Sequence, residues 1–406
     1  MATRSPFQDR TNPSVILKRG REERIVRGHL WIYAGEIQEL EGTPEMGDLV
    51  DVRSSSGRSL GRGYINLQST IAVRLLPGNP QVLDEDFFAE RFTGAARRRE
   101  KFMPGDTAMR LVYGEADLLP GLIVDRYGSC IVVQILTAGM DVRRELIVRA
   151  LDRVFSPAAI YERSDVPARR LEGLAPRQGA LKSDPGELVL AEENGLKLWV
   201  DVKNGQKTGY FLDQKQNRAA LVSLLRAHNP SKWRVLDAFC YSGGFALCAA
   251  LAGAGEVLGI DSSAQAVVLA GRNSEQNGLG GQCEFREGNV FDELRDLERA
   301  GRQFECVVLD PPAFARGRAT VEAALRGYKE INLRAAKLLC SPGILVTCSC
   351  SHHIDAALFS DLVTEALRDA RRRARLIEAR GQSSDHPVLM GMKETAYLKC
   401  LILEVF

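Results

Sequence analysis

The residue types best suited to covalent chemistry lie in two short segments, each at the end of an apolar run. Asp310-Pro-Pro-Ala-Phe314 follows one such run, and Thr347-Cys-Ser-Cys-Ser351 closes another. A cysteine thiolate can add to a ring carbon and activate the carbon beside it. Carbon 5 of a pyrimidine needs this help, because it is too weak a nucleophile to take a methyl group directly. The two segments are therefore typical of thiolate-assisted chemistry on a pyrimidine.

The Asp310 turn has a simpler alternative, namely an ordinary strand end. Two prolines after a strand fix an extended, rigid exit, because proline locks its own φ and restricts the residue before it. Asp310 would then lie at the sheet edge, where similar turns in methyltransferases hold a planar target that bears nitrogen atoms. We predict that Asp310 is catalytic and that Pro311 and Pro312 contact the target base.

Cysteine is also a common interior residue, so each thiol has a second interpretation. A strand-end position favours a nucleophile for the pair Cys348 and Cys350. Three other cysteines are predicted to be interior: Cys306, Cys340 and Cys400. A metal site made with His352 and His353 is a weaker alternative, because adjacent positions on one short segment point in different directions and no distant partner cluster is visible. We predict no bound metal.

An earlier segment is typical of an adenosine cofactor site. An apolar strand from residue 235 ends in Asp237-Ala-Phe-Cys-Tyr-Ser-Gly-Gly244, a tight turn into a helix. Adenosine cofactors bind at such carboxyl ends of strands. Gly243 and Gly244 would let the backbone approach the ligand, and Asp237 would accept from a cofactor ammonium or order the turn. The pattern is not G-x-G-x-x-G, which argues against a dinucleotide.

Two polar residues further along the chain extend this predicted site. Asp261 ends the next apolar run, where a carboxylate can accept from both ribose hydroxyls, or else cap a helix. Asn289, in Glu287-Gly-Asn-Val-Phe-Asp292, lies where such folds contact adenine. The full set of cofactor contacts predicted from these motifs is Asp237, Phe239, Ser242, Gly243, Gly244, Asp261, Asn289 and Asp310.

Apolar runs after residue 191 alternate with helical stretches. Buried strands are predicted at 234–239, 256–261, 306–310, 343–347 and 397–404. Such alternation is typical of a parallel sheet covered by helices on both faces. We therefore predict an α/β, Rossmann-like domain over residues 191–406.

The amino-terminal residues 13–80 read as a small β-rich module. Strands are predicted at 48–52 and 70–76, between turns rich in glycine or serine. Cations crowd the start of the module: Lys18, Arg19, Arg21, Arg24 and Arg27. Taken alone, this cluster is better explained as a solvated charged face than as a set of phosphate contacts.

Residues 84–190 form a second predicted unit, a central α/β segment. Helices are predicted at 84–101 and about 142–154, with a strand at 130–136 between them. Proline, glycine and charged residues concentrate at 166–190, which predicts a linker there.

Composition excludes several classes of protein. The chain has 406 residues, with 54 lysines and arginines against 52 acids, and nine cysteines without C-x-x-C spacing. This near-neutral balance means that nucleic-acid affinity must come from local clusters, and the odd, scattered cysteines do not suggest disulfides. No run approaches the roughly 20 apolar residues of a membrane span. The start, MATRSPFQDR, lacks the apolar stretch of a secretory signal, so we expect a cytoplasmic protein.

Several motifs in order resemble those of the ribosomal RNA large subunit methyltransferase I family, over nearly the whole chain. They are Leu17-Lys-Arg-Gly20, His29-Leu-Trp-Ile-Tyr33, Gly114-Glu-Ala-Asp-Leu-Leu-Pro-Gly-Leu-Ile-Val-Asp-Arg126, Tyr161-Glu-Arg-Ser-Asp165, Gly205-Gln-Lys-Thr-Gly-Tyr-Phe-Leu-Asp-Gln214, Phe239-Cys-Tyr-Ser-Gly-Gly-Phe245, Asp310-Pro-Pro312 and Ser349-Cys-Ser351. The resemblance implies an RNA-binding PUA domain, a central α/β segment and a class I methyltransferase domain. It also implies S-adenosyl-L-methionine as cofactor and carbon 5 of a specific cytosine in 23S rRNA as target.

The resemblance assigns roles to individual residues. The family's single cysteine in the last motif falls on Cys350, the implied nucleophile, whereas Cys348 matches a position that is often aromatic in relatives. Asp310 would bind the cytosine edge, and Asn289 departs from an expected Asp. The segment 207–213 would lie over the cofactor, with contacts from Thr208, Phe211 and Asp213. The implied RNA contacts are Lys18, Arg19, Arg21, Pro311 and Pro312.

Two other functions stay open at this point. A guanine-modifying rRNA methyltransferase would share the Asp-Pro-Pro turn and need no cysteine, and a non-catalytic RNA-binding ribosome assembly factor would retain the cofactor fold. Relatives of this type often pair into homodimers, and composition does not decide whether this chain does.

Overall fold

The computed structural model describes residues 13–314 and 320–406. The amino-terminal residues on which the expected location rests lie outside these ranges. Three units, each with its own sheet, follow one another along the chain. In the part of the chain that the structure describes, no helix is both long and apolar enough to cross a membrane.

The amino-terminal unit is a small sheet. Its elements are β1 (Ser14–Leu17), α1 (Glu23–Val26), β2 (Trp31–Tyr33), β3 (Ile37–Glu41), β4 (Leu49–Arg53), β5 (Ser59–Ile65) and β6 (Ile71–Leu75). The strand order is β2-β6-β5-β4-β1-β3, and only β1 and β4 run parallel. On β4, Val50 and Val52 face the core and alternate with more exposed residues. The strands predicted at 48–52 and 70–76 are thus confirmed.

The central unit packs helices against a five-stranded sheet. Its elements are α2 (Glu85–Phe102), β7 (Ala108–Tyr113), β8 (Leu122–Tyr127), β9 (Cys130–Ile135), α3 (Ala138–Asp141), α4 (Arg144–Phe155), β10 (Ala159–Ser164) and β11 (Arg177–Lys182). The order is β11-β10-β9-β8-β7. Asp84 caps α2 by accepting from Phe87 N, and Phe88 and Phe92 are buried one turn apart. The predicted helices and the strand at 130–136 are confirmed.

The prediction of a linker at 166–190 is wrong. β11 lies inside this range and pairs antiparallel with β10 at the sheet edge. The next strand, β12 (Val189–Glu193), begins before the range ends. An edge strand leaves one side to solvent and tolerates charge and glycine. The polar composition therefore marks an edge of the sheet.

The third unit begins with a hairpin of β12 and β13 (Leu196–Val200). It continues as α5 (Lys215–Ala227), β14 (Arg234–Ala238), α6 (Gly244–Leu251), β15 (Glu256–Asp261), α7 (Ala264–Gln276), β16 (Cys283–Glu287), α8 (Val290–Arg299), β17 (Phe304–Leu309), α9 (Val321–Leu338), β18 (Leu339–Ser349), α10 (Ala356–Asp369), β19 (Ala374–Arg380) and β20 (Lys399–Val405). The sheet order is β16-β15-β14-β17-β18-β20-β19.

This sheet is parallel over five strands only. β16, β15, β14, β17 and β18 run parallel, as predicted. β20 is antiparallel to both β18 and β19, so the expectation of a wholly parallel sheet is wrong at this edge. Apolar runs reveal buried strands but not their direction, which depends on how the chain returns to the sheet.

The order of the strands places a crevice beside β14. The chain builds outward to β15 and β16 on one side and to β17 and β18 on the other. Ligands bind at such a reversal, at the carboxyl ends of the strands. Because Ala238 of β14 pairs with Leu309 of β17, the residues that follow, Phe239 and Asp310, emerge at the same edge.

The segment between β19 and β20 contacts all three units. Its Ser383 N donates to Asp213 O over 2.8 Å in the third unit. Asp385 O accepts from Nη2 of Arg99 over 2.8 Å in the central unit. Met392 is buried in the core of the amino-terminal unit. One segment thus anchors the amino-terminal unit beside the seven-stranded sheet.

Candidate active site

A cavity of about 250 Å³ lies at the carboxyl edge of β14 and β17. The predicted site residues that line it are Phe211, Asp213, Phe239, Gly244, Asp261, Asn289, Asp310, Pro311, Pro312 and Cys350. Residues from strands far apart in the sequence therefore meet here.

The turn from β14 into α6 forms one wall. Phe239 and Tyr241 adopt left-handed φ values of 75° and 50°, and Gly243 follows at 92°. Gly243 makes the turn possible but does not line the cavity. At Gly244, an added Cβ would lie 2.8 Å from Tyr210 Oη. A side chain at Gly244 would collide with this wall.

Asp237 orders the turn from beneath. It is buried, and its Oδ2 accepts from Ala246 N over 2.8 Å. Burial, together with the nearby Asp310 and Asp261, raises the pKa of Asp237 to about 8. Asp237 does not line the cavity, so the structure favours the second of its two predicted roles. Ser242 is also buried away from the lining.

Asp261 and Asn289 lie in the cavity wall, and the side chain of each also accepts hydrogen bonds from backbone N–H groups. The two carboxylate oxygens of Asp261 accept from Tyr241 N and Ser263 N, both over 2.9 Å. Asn289 Oδ1 caps α8 by accepting from Phe291 N over 2.9 Å. Both side chains are therefore held rigidly at the cavity, as a ligand site requires.

The segment 207–213 forms the opposite wall. Asp213 Oδ2 accepts from Lys207 Nζ over 2.8 Å and from Tyr397 Oη over 2.5 Å. Although burial acts to raise it, the charges of Lys207 and His386 hold the pKa of Asp213 below its ordinary value. The Lys207 ammonium also lies 4.4 Å from the centre of the Phe211 ring.

Thr208 does not belong to this wall. It is fully buried, its Oγ1 donates to Asp125 Oδ2 over 2.6 Å, and it shares a hydrogen bond with Tyr127 Oη over 2.9 Å. Both partners lie in the central unit. The side chain of Thr208 therefore joins two units and is not in the cavity lining.

Asp310 follows β17 at the floor of the cavity. Burial and the nearby Asp213 carboxylate raise the pKa of Asp310 to about 6. Gln214 Nε2 donates to Asp310 Oδ1 over 2.8 Å. Gln214 closes one of the quoted motifs but was not predicted as a site residue. At neutral pH a measurable share of Asp310 keeps its proton.

Cys350 presents its sulfur to the same cavity. It is half-buried, and its Sγ lies 4.0 Å from Pro311 O. Burial and the nearby Asp310 carboxylate raise the pKa of the Cys350 thiol to about 11. The thiol and the predicted catalytic acid therefore share one site.

The other cysteines of interest lie elsewhere. Cys348 is fully buried and lies opposite Cys400 on the neighbouring strand. Of the two cysteines predicted to be exposed at the strand end, only Cys350 is partly exposed. Cys306 and Cys400 are interior as predicted. Cys340 is only half-buried and donates to Glu305 Oε1 over 3.1 Å, which makes that prediction wrong.

The predicted RNA cations point outward. Lys18, Arg19 and Arg21 are exposed, and Lys18 Nζ donates to Gly35 O over 2.8 Å. Arg24 instead pairs with Glu36 over 2.9 Å. Across residues 13–314 and 320–406, no group of three or more histidines, cysteines and acids is arranged to hold a metal ion.

Buried polar atoms in the wall are consistent with a charged, polar ligand. Asp213 Oδ1 and Tyr210 Oη have no hydrogen-bond partner among the described residues. Such orphaned atoms are costly unless a ligand or water supplies a partner. A cofactor with an ammonium, a ribose and an adenine matches the acids, amide and aromatic rings of this lining.

The fold and cavity are those of an S-adenosylmethionine-dependent methyltransferase. The family model of that description matches residues 174–403, and a PUA-like domain model matches residues 15–77. A crystal structure described as a methyltransferase complexed with SAH shares the fold with a TM-score of 0.81 at 21% identity, covering 96% of this chain and 99% of that one.

Two relatives identify the family within this class of methyltransferases. The ribosomal RNA large subunit methyltransferase I of Aeromonas salmonicida (strain A449) is 41% identical over 96% of this chain and 98% of its own length. That of Shewanella denitrificans is 41% identical over 97% of this chain and 99% of its own. The chain belongs to the ribosomal RNA large subunit methyltransferase I family, and its cofactor is S-adenosylmethionine.

Proposed function

We propose that the chain methylates carbon 5 of a cytosine in 23S ribosomal RNA through a covalent adduct with Cys350. The names of its relatives support large-subunit ribosomal RNA as the substrate. The observation that carries the finer proposal is the Cys350 sulfur, which lines the same cavity as Asp310 and lies 4.0 Å from Pro311 O. A methyltransferase for a nitrogen atom of guanine would need no thiol there.

Different residues of the cavity wall would contact different parts of the cofactor. Asp261 would accept from the ribose hydroxyls. The side-chain oxygen of Asn289 caps α8, so its side-chain nitrogen would contact the adenine edge. Asp213 would accept from the cofactor ammonium, while Phe211 and Phe239 supply apolar surface. When bound, the cofactor supplies an electrophilic methyl group on a sulfonium sulfur.

Cys350 and Asp310 act on the base. The Cys350 thiolate adds to carbon 6, so that electron density moves to carbon 5 and the ring nitrogen. A protonated Asp310 can donate to the ring nitrogen and accept from the exocyclic amine. Its pKa of about 6 leaves a fraction in that form near neutrality. Carbon 5 then takes the methyl group, loses its proton, and the thiolate leaves carbon 6.

The base must leave its stack to reach these groups, because carbon 6 is inaccessible inside a helix. Pro311 lies at the cavity beside Cys350 and, with Pro312, offers a rigid apolar surface for the flipped ring. The exposed Lys18, Arg19 and Arg21 would contact phosphates at a distance from the flipped base.

The proposal is tested with Cys350→Ala and the matched variant Cys348→Ala. Unmodified 23S rRNA is incubated with each protein and labelled cofactor, and the modified nucleoside is identified by mass spectrometry. We expect wild type and Cys348→Ala to form 5-methylcytosine and Cys350→Ala to form none.

Each contrary result has a defined meaning. An equal 5-methylcytosine yield from Cys350→Ala would exclude the covalent route. A methylated guanine from all three proteins would identify a guanine-modifying enzyme. Absence of cofactor affinity in isothermal titration would support the assembly factor instead.

A further inference from the structure

A second cation lies beside Cys350 and has no role in the scheme above. Lys399 begins β20, and Ser349 of β18 lies directly opposite it. The Lys399 Nζ donates to Ser351 O over 2.7 Å and to Tyr397 O over 2.8 Å. Since Ser351 is the neighbour of Cys350 in the chain, the ammonium is fixed next to the segment that carries the thiol.

This ammonium lacks an acidic partner. No carboxylate of the described residues comes within 4.0 Å of Lys399 Nζ. Asp355 acts on it only through longer-range attraction, because the Asp355 carboxylate caps α10 by accepting from Leu358 N over 2.9 Å. Burial lowers the pKa of Lys399 to about 8, and Cys350 opposes this shift.

Charges of both signs act on Cys350. Asp310 and Asp213 disfavour its thiolate, and Lys207 and Lys399 favour it. Lys207 has the larger effect of the two cations, and it also forms an ion pair with Asp213 over 2.8 Å. Lys399 forms no such ion pair with another described residue and adds its charge to the stabilisation of a negative sulfur.

We propose that Lys399 is a positioning residue for Cys350, which stabilises the thiolate by its charge and holds the segment at Ser351 by its hydrogen bond. Lys399 carries this charge below its pKa of about 8, and the thiol proton passes to solvent or to a neighbouring carboxylate. The importance of this pair for catalysis rests on the proposed function. The pairing itself is a property of the folded chain and is measurable without RNA.

The test follows alkylation of Cys350 by iodoacetamide as a function of pH in the full chain. Peptide mass spectrometry isolates the Cys350 signal, because Cys283 and Cys340 are also half-buried. Below pH 8, where Lys399 is charged, Lys399→Met should slow alkylation about tenfold. Lys399→Arg should stay near wild type, as should the matched Lys393→Met, which removes an exposed lysine of the same segment.

An unchanged alkylation rate below pH 8 in a folded Lys399→Met protein overturns the proposal. Folding is checked by the melting temperature and by binding of S-adenosylhomocysteine. If Lys399→Met does not fold, Lys399→Gln makes the same comparison. In methylation assays, Lys399→Met should lower kcat while KM for the cofactor changes little. If Cys350→Ala still makes 5-methylcytosine, the covalent route fails, but the alkylation result still decides whether the two groups interact.

Discussion

Gln214 donates a hydrogen bond to Oδ1 of Asp310 over 2.8 Å, although the two residues lie 96 positions apart in the chain. The Gln214 amide is itself oriented, because its Oε1 accepts from Asn217 Nδ2 over 2.6 Å. Asp310 Oδ1 is therefore held as an acceptor, with a second lone pair left for the exocyclic amine of the base. A proton on Asp310 then lies on Oδ2, from which it can be donated to the ring nitrogen.

Replacing Gln214 by Leu should lower kcat without abolishing activity. The change removes the donor that orients Asp310 and leaves a buried acceptor unpaired, a loss of about 1–3 kcal/mol. We expect kcat to fall roughly ten- to hundredfold, with a smaller change in cofactor affinity. Single-turnover methylation and isothermal titration measure the two quantities. Full activity in Gln214→Leu would mean that Asp310 needs no such support.

The pH profile should report Asp310 and Cys350 together. The reaction needs a proton on Asp310, whose pKa is about 6, and none on Cys350, whose pKa is about 11. Below pH 6 Asp310 is protonated, and the thiolate fraction grows about tenfold per unit of pH. Above pH 6 the growing thiolate fraction is cancelled by the loss of protonated Asp310. We therefore expect kcat/KM to rise up to about pH 6 and then stay level.

Asp310→Asn should change the shape of that profile as well as its height. Asparagine cannot give a proton to the ring nitrogen, so activity should fall roughly 10²–10⁴-fold. The remaining activity should keep rising above pH 6, because only the thiolate still titrates. The control is Asp296→Asn, which changes an exposed acid on α8. A levelled profile in Asp310→Asn would show that another group limits the wild type.

Asp261→Asn should weaken cofactor binding. The carboxylate is predicted to accept from the ribose and also accepts from Tyr241 N and Ser263 N, and hydrogen bonds to charged groups are worth about 1.5–3 kcal/mol. Isothermal titration with S-adenosylhomocysteine should show a Kd raised roughly ten- to hundredfold. Glu284→Gln, on the exposed β16, should leave Kd unchanged. Equal Kd values for the two variants would remove Asp261 from the site.

Replacing Lys18, Arg19 and Arg21 together by Gln should weaken RNA binding at every sequence tested. Each lost phosphate contact reduces the slope of log K against log salt by about 0.7–0.9. The slope should therefore fall by roughly two, while cofactor affinity stays constant. A matched triple variant of exposed arginines in the third unit, Arg299, Arg368 and Arg375, is the control. Equal slopes for the two triple variants would place the RNA elsewhere.

The buried pair of Arg218 and Glu193 should matter for stability. Their atoms approach to 2.7 Å, and both side chains are almost fully buried. Glu193→Gln leaves the cation without a counter-charge, which costs about 3–5 kcal/mol and should lower Tm by roughly 10 °C. The double variant Arg218→Met with Glu193→Leu should melt at a higher temperature than Glu193→Gln. Calorimetry would contradict this expectation if the double variant melted lower.

Apolar runs allowed most of the catalytic sheet to be predicted. Strands buried on both faces are nearly continuous in apolar residues, so β14, β15, β17 and β18 were visible in the sequence. β11 was missed because an edge strand can be polar. The antiparallel β20 was placed correctly along the chain, but its direction was not, since period and composition are the same for both directions.

Motifs located the site but not the orientation of every side chain. Asp261, Asn289, Asp310 and Cys350 line the cavity because each follows or ends a strand at one sheet edge. Thr208 turns toward Asp125 instead, because a hydroxyl within a turn can bond on either side of the backbone. Nothing local in the sequence distinguishes those two directions.

The sequence by itself determined which residues could do chemistry and at which strand ends they would stand, because residue type and apolar spacing are local properties. Only the tertiary structure decided which of two cysteines reaches the cavity, that Gln214 orients Asp310, and that Lys399 lies beside Cys350. Those outcomes depend on contacts between segments brought together by strand order and burial, and no local pattern encodes them.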